Sequence, residues 1–182
     1  PADGYTLLFG GLSSHVLNPA FMSDLRYDAV KDFTPVGMVV ENNVVLVASP
    51  KMGVSNMAEF VALLKANPGK YAYGSAGIGT STHIGVELLL QTLDLKALHV
   101  PYKGMGPVMT DLRGGSVQFA VDSIGPASER IRAGELVGLV VLNTARSESI
   151  PQVPSLSDAG LPGLARATVV SWQCIFGPAK LP

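Results

Sequence analysis

Charge is scarce in this chain. Lys, Arg, Asp and Glu make up 15% of its 182 residues, against roughly 25% in an ordinary soluble domain. The surface is therefore built from Ser, Thr, Asn, Gly and Pro more than from ion pairs. Thirteen basic and fourteen acidic side chains leave a formal net charge of -1 and no basic cluster. That balance excludes the electrostatic footprint of a nucleic-acid binder and of a cationic membrane-surface helix. A single cysteine, Cys174, excludes an intrachain disulfide and a cysteine-based metal site; beside Trp172 and Phe176 it reads as a buried core residue. Long apolar runs are missing as well. The longest, residues 36–40 and 137–142, fall far below the ~18 residues that a spanning helix needs, so the sequence reads as that of a soluble chain. Neither an initiator Met nor a charged and apolar leader precedes Pro1-Ala2-Asp3-Gly4, which leaves a removed export signal or a start inside a longer product.

Hydrophobic residues, at 47%, suffice to bury the core of one domain or of two small lobes. Short β-branched runs alternate with amphipathic segments, the pattern of an α/β fold on a largely parallel sheet. Strands are expected at residues 5–9, 36–40, 44–48, 71–73, 97–100, 117–121 and 137–141. Asn56 and Glu59 read as an N-cap and its reciprocal partner; Met57, Phe60, Val61 and Leu64 then share one helical face, and Asn67-Pro68-Gly69 stops the helix. A second helix is expected over residues 81–93, and Pro107 and Pro126 fit the first turns of two more, ended by Gly114-Gly115 and Gly134. Residues 44–142 thus form a complete run of strand and helix units. Residues 1–43 and 143–182, with scattered strands and many prolines, are expected to meet as a partial second lobe.

In an open parallel sheet, ligands sit beyond the carboxyl ends of the strands, where loops lead into helix N-termini. Three loops qualify: residues 74–83, 101–106 and 122–125. A helix start carries unpaired N–H donors and about half a positive charge, and glycines let an anion approach them. Gly74, Gly77 and Gly79 meet that need in the first loop, and Thr80, Ser81 and Thr82 add hydroxyls. A carboxylate or a phosphate suits such a loop; so does a merely tight turn. The glycine spacing reverses the dinucleotide fingerprint, and Thr80 stands where a P-loop requires Lys, which argues against a nucleotide. His83 and Glu87 lie one helical turn apart, but no H-E-x-x-H motif is present and His15 and His99 stand at no ligand spacing. His83 therefore reads as a hydrogen-bonding or capping residue rather than a metal ligand. Ser75 and Ser81 lack a G-x-S-x-G setting. Asp122 remains open as a base or a helix cap, Lys103 as an anion's partner or a solvated cation, and Tyr102 as a ligand contact or a hydrophobic rim.

The segments PADGYTLLFG, YDAVKDFTPVGMV, YAYGSAGIGTSTHIGVELL, HVPYKGMGPVMTDLRGGSVQFAVDS and RSESIPQVPSLSDAGLPG together resemble the Bug family, the extracytoplasmic receptors related to the tricarboxylate-binding protein of tripartite tricarboxylate transporters. The resemblance spans nearly the whole chain in order. It implies a two-lobed, type II periplasmic binding protein-like fold that closes on a small carboxylate, a di- or tricarboxylate or an acidic amino acid. Backbone amides and waters would replace an arginine clamp, no cofactor or metal is implied, and membrane transporter subunits would be transient partners. Carried over by position, the ligand loops are Ser75, Ala76, Gly77, Gly79, Thr80, Ser81, Thr82 and His83, then Tyr102, Lys103 and Gly104, with Asp122 at the cleft and Ser13 and Ser14 from the opposite lobe. Family members usually start with a further strand and a Pro-Phe-x-x-Gly-Gly loop and continue past Pro182, so the chain is expected to be truncated at both ends and to self-associate through exposed apolar surface. Two other readings stay open: a small α/β enzyme on a carboxylate or acyl substrate, with Asp122 or His83 as base, and a shortened chain that no longer binds.

Overall fold

The computed structural model describes residues 3–179. The chain divides into two compact units, Asn43–Val170 and a smaller one made from Pro1–Asn42 with Ser171–Pro182.

The larger unit is a five-stranded mixed sheet. Its strands are the second half of β2 (Phe33–Ala48), β3 (Ala72–Ser75), β4 (Leu98–Pro101), β5 (Phe119–Ser123) and β6 (Val137–Val141). Strand β2 lies between β5 and β6, antiparallel to both, while β3 runs parallel to β4 on one side and β5 on the other. The expectation of a largely parallel sheet holds for four of its five strands: β3, β4, β5 and β6 share one direction, and β2 opposes them from within. The two short strands expected at 36–40 and 44–48 are one continuous strand, because nothing between them forces a turn.

Strand β2 shows how the core is divided. Alternate side chains of a strand point to opposite faces. Val44, Leu46 and Ala48 join the cluster that contains Phe60 and Leu64 of α2 (Met57–Ala66) and Val86 and Leu89 of α3 (Ser81–Leu93). Val45 and Val47 join the cluster that contains Val108 and Leu112 of α4 (Met105–Gly114) and Ala127 of α5 (Ile124–Arg132). Both faces of the sheet are covered by helices, so the Val44–Ala48 stretch of β2, apolar without alternation, is buried.

The helix ends carry the local chemistry expected of them. Asn56 Oδ1 accepts the Glu59 N–H (2.9 Å), while the Glu59 carboxylate reaches back one residue further than a capping box requires, to the Ser55 N–H (2.8 Å). Helix α4 begins at Met105 and α5 at Ile124, so Pro107 and Pro126 both sit in first turns, and Gly115 and Gly134 follow the ends with positive φ.

Residues 143–170, expected with the partial lobe, instead belong to the larger unit. Ile150 and Val153 are buried in the α4/α5 cluster, and Leu156, Leu164, Ala167 and Val169 in the α2/α3 cluster. An irregular segment that contributes six core side chains cannot leave the sheet it covers without exposing them. The Asn143 side-chain amide donates to Asn43 Oδ1 (2.7 Å), tying the segment's start to β2.

In the smaller unit, β1 (Leu8–Gly11) pairs antiparallel with β7 (Val170–Pro178), which also neighbours β2. After β1 the chain winds into a π-helical turn, Ser13–Leu17, and a short α1 (Asn18–Phe21). The His15 ring stacks on Phe176 at 3.8 Å and meets Phe33 edge-on at 5.1 Å. The strand expected at residues 5–9 begins three residues later, at Leu8. Cys174 is buried.

Candidate functional site

The shared direction of β3, β4, β5 and β6 brings their carboxyl ends to one edge of the larger unit. Gly74 pairs with Ala120 and Ser75 with Pro101, and continuing that register places Ala76, Tyr102 and Asp122 in one row across the edge. Two backbone bonds carry the alignment past the strand ends: the Tyr102 N–H donates to the Ser75 carbonyl (3.0 Å) and the Gly104 N–H to the Ala76 carbonyl (3.1 Å). The three loops singled out from the sequence therefore meet at one place, as strand order required.

The expectation of a loop whose amides are bare needs correction, because most of them are occupied. Thr82 Oγ1 accepts the Ala76 N–H (3.0 Å), Ser75 Oγ the Gly77 N–H (3.2 Å) and His83 Nδ1 the Gly79 N–H (3.2 Å). Thr80 caps α3: its hydroxyl accepts from the His83 N–H (3.4 Å) and donates to the Gly77 carbonyl (2.7 Å). Those bonds fix the turn. Among the described residues, the N–H groups of Ile78, Ser81 and Thr82 make no hydrogen bond. Ser81 and Thr82 are the first two residues of a 13-residue helix, where the backbone's partial positive charge gathers. The donors on offer to an anion are thus fewer than composition implied.

Two glycines of the loop answer to different demands. Gly79 has φ of +78°, a left-handed conformation that a β-branched residue adopts only under strain. Gly74 is needed for packing instead, since a Cβ there would stand 2.6 Å from a Val108 methyl.

Other side chains take roles that spacing alone did not reveal. The Tyr102 hydroxyl donates to Asp111 (2.6 Å), and burial followed by that carboxylate pushes the phenol up to about 12. Tyr102 is thereby part of the α4 packing rather than a free ligand donor. Lys103 is exposed and has no ion pair among the described residues. His83 is not the helix cap; it is the acceptor that closes the turn. Ser14 is bound inside its own unit, exchanging hydrogen bonds with the backbone of Gly11 (3.0 and 3.2 Å) and contacting His15 Nδ1 (2.9 Å), while neighbouring Ser13 is half-buried.

Asp122 is 4% exposed, and its Oδ1 accepts the Ser123 N–H (2.8 Å); Ser123, not Asp122, occupies the cap position of α5. Burial raises the Asp122 carboxyl above its ordinary value of 3.8, with the Ser123 N–H and then Arg130 opposing. A carboxyl raised on folding holds its proton longer in the native state, so its contribution to stability falls as pH rises above that ordinary value. Asp122→Asn is expected to melt higher than the parent at neutral pH, by about 2–4 °C for each kcal/mol relieved. The gain vanishes once both proteins are scanned well below the usual aspartate range. Equal melting curves at neutral pH would show that the ionised carboxylate costs nothing where it lies.

Two residues outside the sequence-derived set, Tyr73 and His99, pack against His83. Tyr73, His99 and His83 form a column of stacked rings, 4.8 Å from Tyr73 to His99 and 4.1 Å from His99 to His83, each within 16° of parallel. The Tyr73 hydroxyl donates to Glu87, and Ser75 Oγ lies 2.7 Å from His99 Nε2. The serine–histidine contact is the arrangement a nucleophile would need. Ser75 is nevertheless 0% exposed, and its hydroxyl is held by Gly77 as well as His99, which makes it a brace for the loop. Register across β3 and β4 creates this column, and only the two-residue spacing of Tyr73 and Ser75 on one strand face hinted at it.

The whole chain, residues 1–182, matches the profile of the Tripartite tricarboxylate transporter family receptor. BugT of Bordetella pertussis (strain Tohama I) is 32% identical over 178 residues, 97% of this chain and 54% of that protein. Rpa4515 of Rhodopseudomonas palustris, solved with adipate, superposes with a TM-score of 0.92 at 28% identity, covering 100% of this chain and 60% of that one. MatC (Rpa3494) from the same organism, with bound malate, gives 0.89 at 30% identity, 100% and 61%. The chain spans about half the length of the curated relatives it matches. Its mixed α/β fold is that of solved periplasmic binding proteins, and the family is one of receptors, not enzymes. The chain belongs to the tripartite tricarboxylate transporter receptor family, which includes the Bug proteins.

Proposed function

We propose that this chain is the greater part of an extracytoplasmic receptor that captures a small di- or tricarboxylate, or an acidic amino acid, and delivers it to a tripartite tricarboxylate-type transporter without making or breaking a bond. The observation that carries the reading is the trio of N–H groups at Ile78, Ser81 and Thr82, in the turn before α3 and its first residues, that make no hydrogen bond among the described residues. Backbone donors at a helix start recognise any carboxylate, and the scarcity of basic side chains leaves them the main source of positive potential. Malate and adipate in related receptors fit this chemistry. The ligand loops proposed are residues 75–83, 102–104 and Asp122 of the larger unit. The site of action is the periplasm.

A thermal-shift and calorimetric panel of malate, adipate, citrate and aspartate tests the reading. A ligand present at a hundred times its Kd stabilises the protein by about 2.7 kcal/mol and is recovered unchanged. If every acid leaves the melting temperature where it was, the chain is not a working receptor; if one is consumed, it is an enzyme. A second part of the reading concerns the smaller unit, whose apolar residues are largely exposed: copies of the isolated chain associate through that face.

A further inference from the structure

The loop is held in shape by two histidines, one of which lies outside it. The Gly79 N–H donates to His83 Nδ1 (3.2 Å), so that nitrogen must carry a lone pair. His83 must be neutral, with its proton on Nε2. His99, on β4, lies face to face with the His83 ring at 4.1 Å, and its own Nε2 meets Ser75 Oγ at 2.7 Å. Ser75 Oγ in turn receives the Gly77 N–H (3.2 Å). Both glycine amides of the turn therefore end on the histidine pair, one directly and one through Ser75.

We propose that His99 is a positioning residue for ligand capture: stacked on His83 and tied to Ser75, it holds His83 in the neutral tautomer whose Nδ1 accepts the Gly79 N–H, and so keeps the 77–83 turn in its binding shape. Two flat rings at this separation do not both accept a proton readily, since each charge opposes the other. Burial and then the neighbouring His83 hold His99 below the ordinary histidine range. The other ionisable groups on the elements around the pair are Glu87 on α3, Tyr73 on β3, Asp122 on β5, Lys103 after β4 and Arg166 on the short turn packed against α3. Glu87 is occupied by the Tyr73 hydroxyl. Acid that protonates His83 turns its acceptor into a donor facing another donor, and the Gly79 bond is lost.

The inference rests on the receptor reading only for its binding measurement. Side-chain nitrogen NMR of the unliganded chain is expected to show His83 as the Nε2–H tautomer at neutral pH, with the Gly79 amide resonance moving in step with the His83 titration. His99→Ala is expected to mix the His83 tautomers, displace the Gly79 amide and weaken malate or adipate binding about tenfold. His99→Gln keeps a flat group on His83 and a side-chain amide within reach of Ser75, and restores all three. A Gly79 amide indifferent to His83 titration, an Nδ1–H tautomer in the parent, or an alanine variant with unchanged ring and amide signals overturns the proposal. If no carboxylate binds the parent while the NMR pattern holds, the receptor reading fails and the positioning role stands; if carboxylates bind and the pattern is missing, the reverse follows.

Discussion

In a calorimetric titration with malate or adipate, the Gly79→Val protein is expected to give no binding heat while keeping the parent's far-ultraviolet spectrum. Gly79 sits at φ of +78°, where a β-branched side chain collides with its own backbone at a cost of order 1–3 kcal/mol. The chain escapes that strain by rotating the Ile78–Gly79–Thr80 peptides. Rotation breaks the Gly79 N–H bond to His83 and shifts the Thr80 cap, the two contacts that aim the free donors at the start of α3. Binding depends on several donors converging on one carboxylate, so modest misplacement removes most of it. The fold survives because the core lies elsewhere, in Val44–Ala48 of β2 and the buried faces of the helices against it. Gly134→Ala serves as the control. Its φ of +72° brings comparable strain, but it lies past the end of α5 with no neighbour within 4 Å of an added Cβ. Equal affinity for Gly79→Val and the parent would remove the loop from the site.

The second large effect is expected in solution size. In β2, every residue from Thr34 to Val39 is exposed, and Val36 and Met38, two apart and hence on the same face, are 58% and 63% accessible. Val39 on the opposite face is 55% accessible, and Tyr5, Phe21 and Val30 of the same unit exceed that. Apolar surface on both faces of a strand drives association in water, and stable interfaces bury roughly 1,200–2,000 Å². Sedimentation of the isolated chain is expected to show association that grows with concentration. Val36→Glu combined with Met38→Glu places two charges on that face and is expected to return the chain to monomer. Exposed substitutions of this kind change stability by about 0.5 kcal/mol or less, so the melting temperature stays close to the parent's. A parent that remains monomeric at high concentration, or a double variant that associates as strongly, refutes the assignment of this surface.

What was legible beforehand is clearest at α2 and α3. The Asn56 cap, the apolar face from Met57 to Leu64, the start of α3 at Ser81 and the punctuation by Gly115 and Gly134 all depend on residues within a turn or two of each other. The loop's location was also legible, since strand, glycines, hydroxyls and helix follow in unbroken order from Tyr73 to Leu93. Its hydrogen bonding was not. The sequence suggested free donors, and the structure places Thr82, His83 and Ser75 side chains on three of them, because short polar side chains compete for the same amides that an anion would use. The fate of residues 143–170 was hidden for a related reason. Their core positions, such as Ile150 and Leu164, follow no helical or strand period, so only the surface they cover identifies them.

By itself, then, the amino-acid sequence determined the helices α2 to α5, their ends and the glycine turn, since each is decided by backbone sterics and hydrogen bonds over a few residues. Tertiary structure decided the opposed direction of β2, the row of Ala76, Tyr102 and Asp122, and the meeting of Ser75 with His99 across 24 positions of chain. Those follow from strand register, which is set by burying both faces of one sheet at once and so depends on every segment that shares the core.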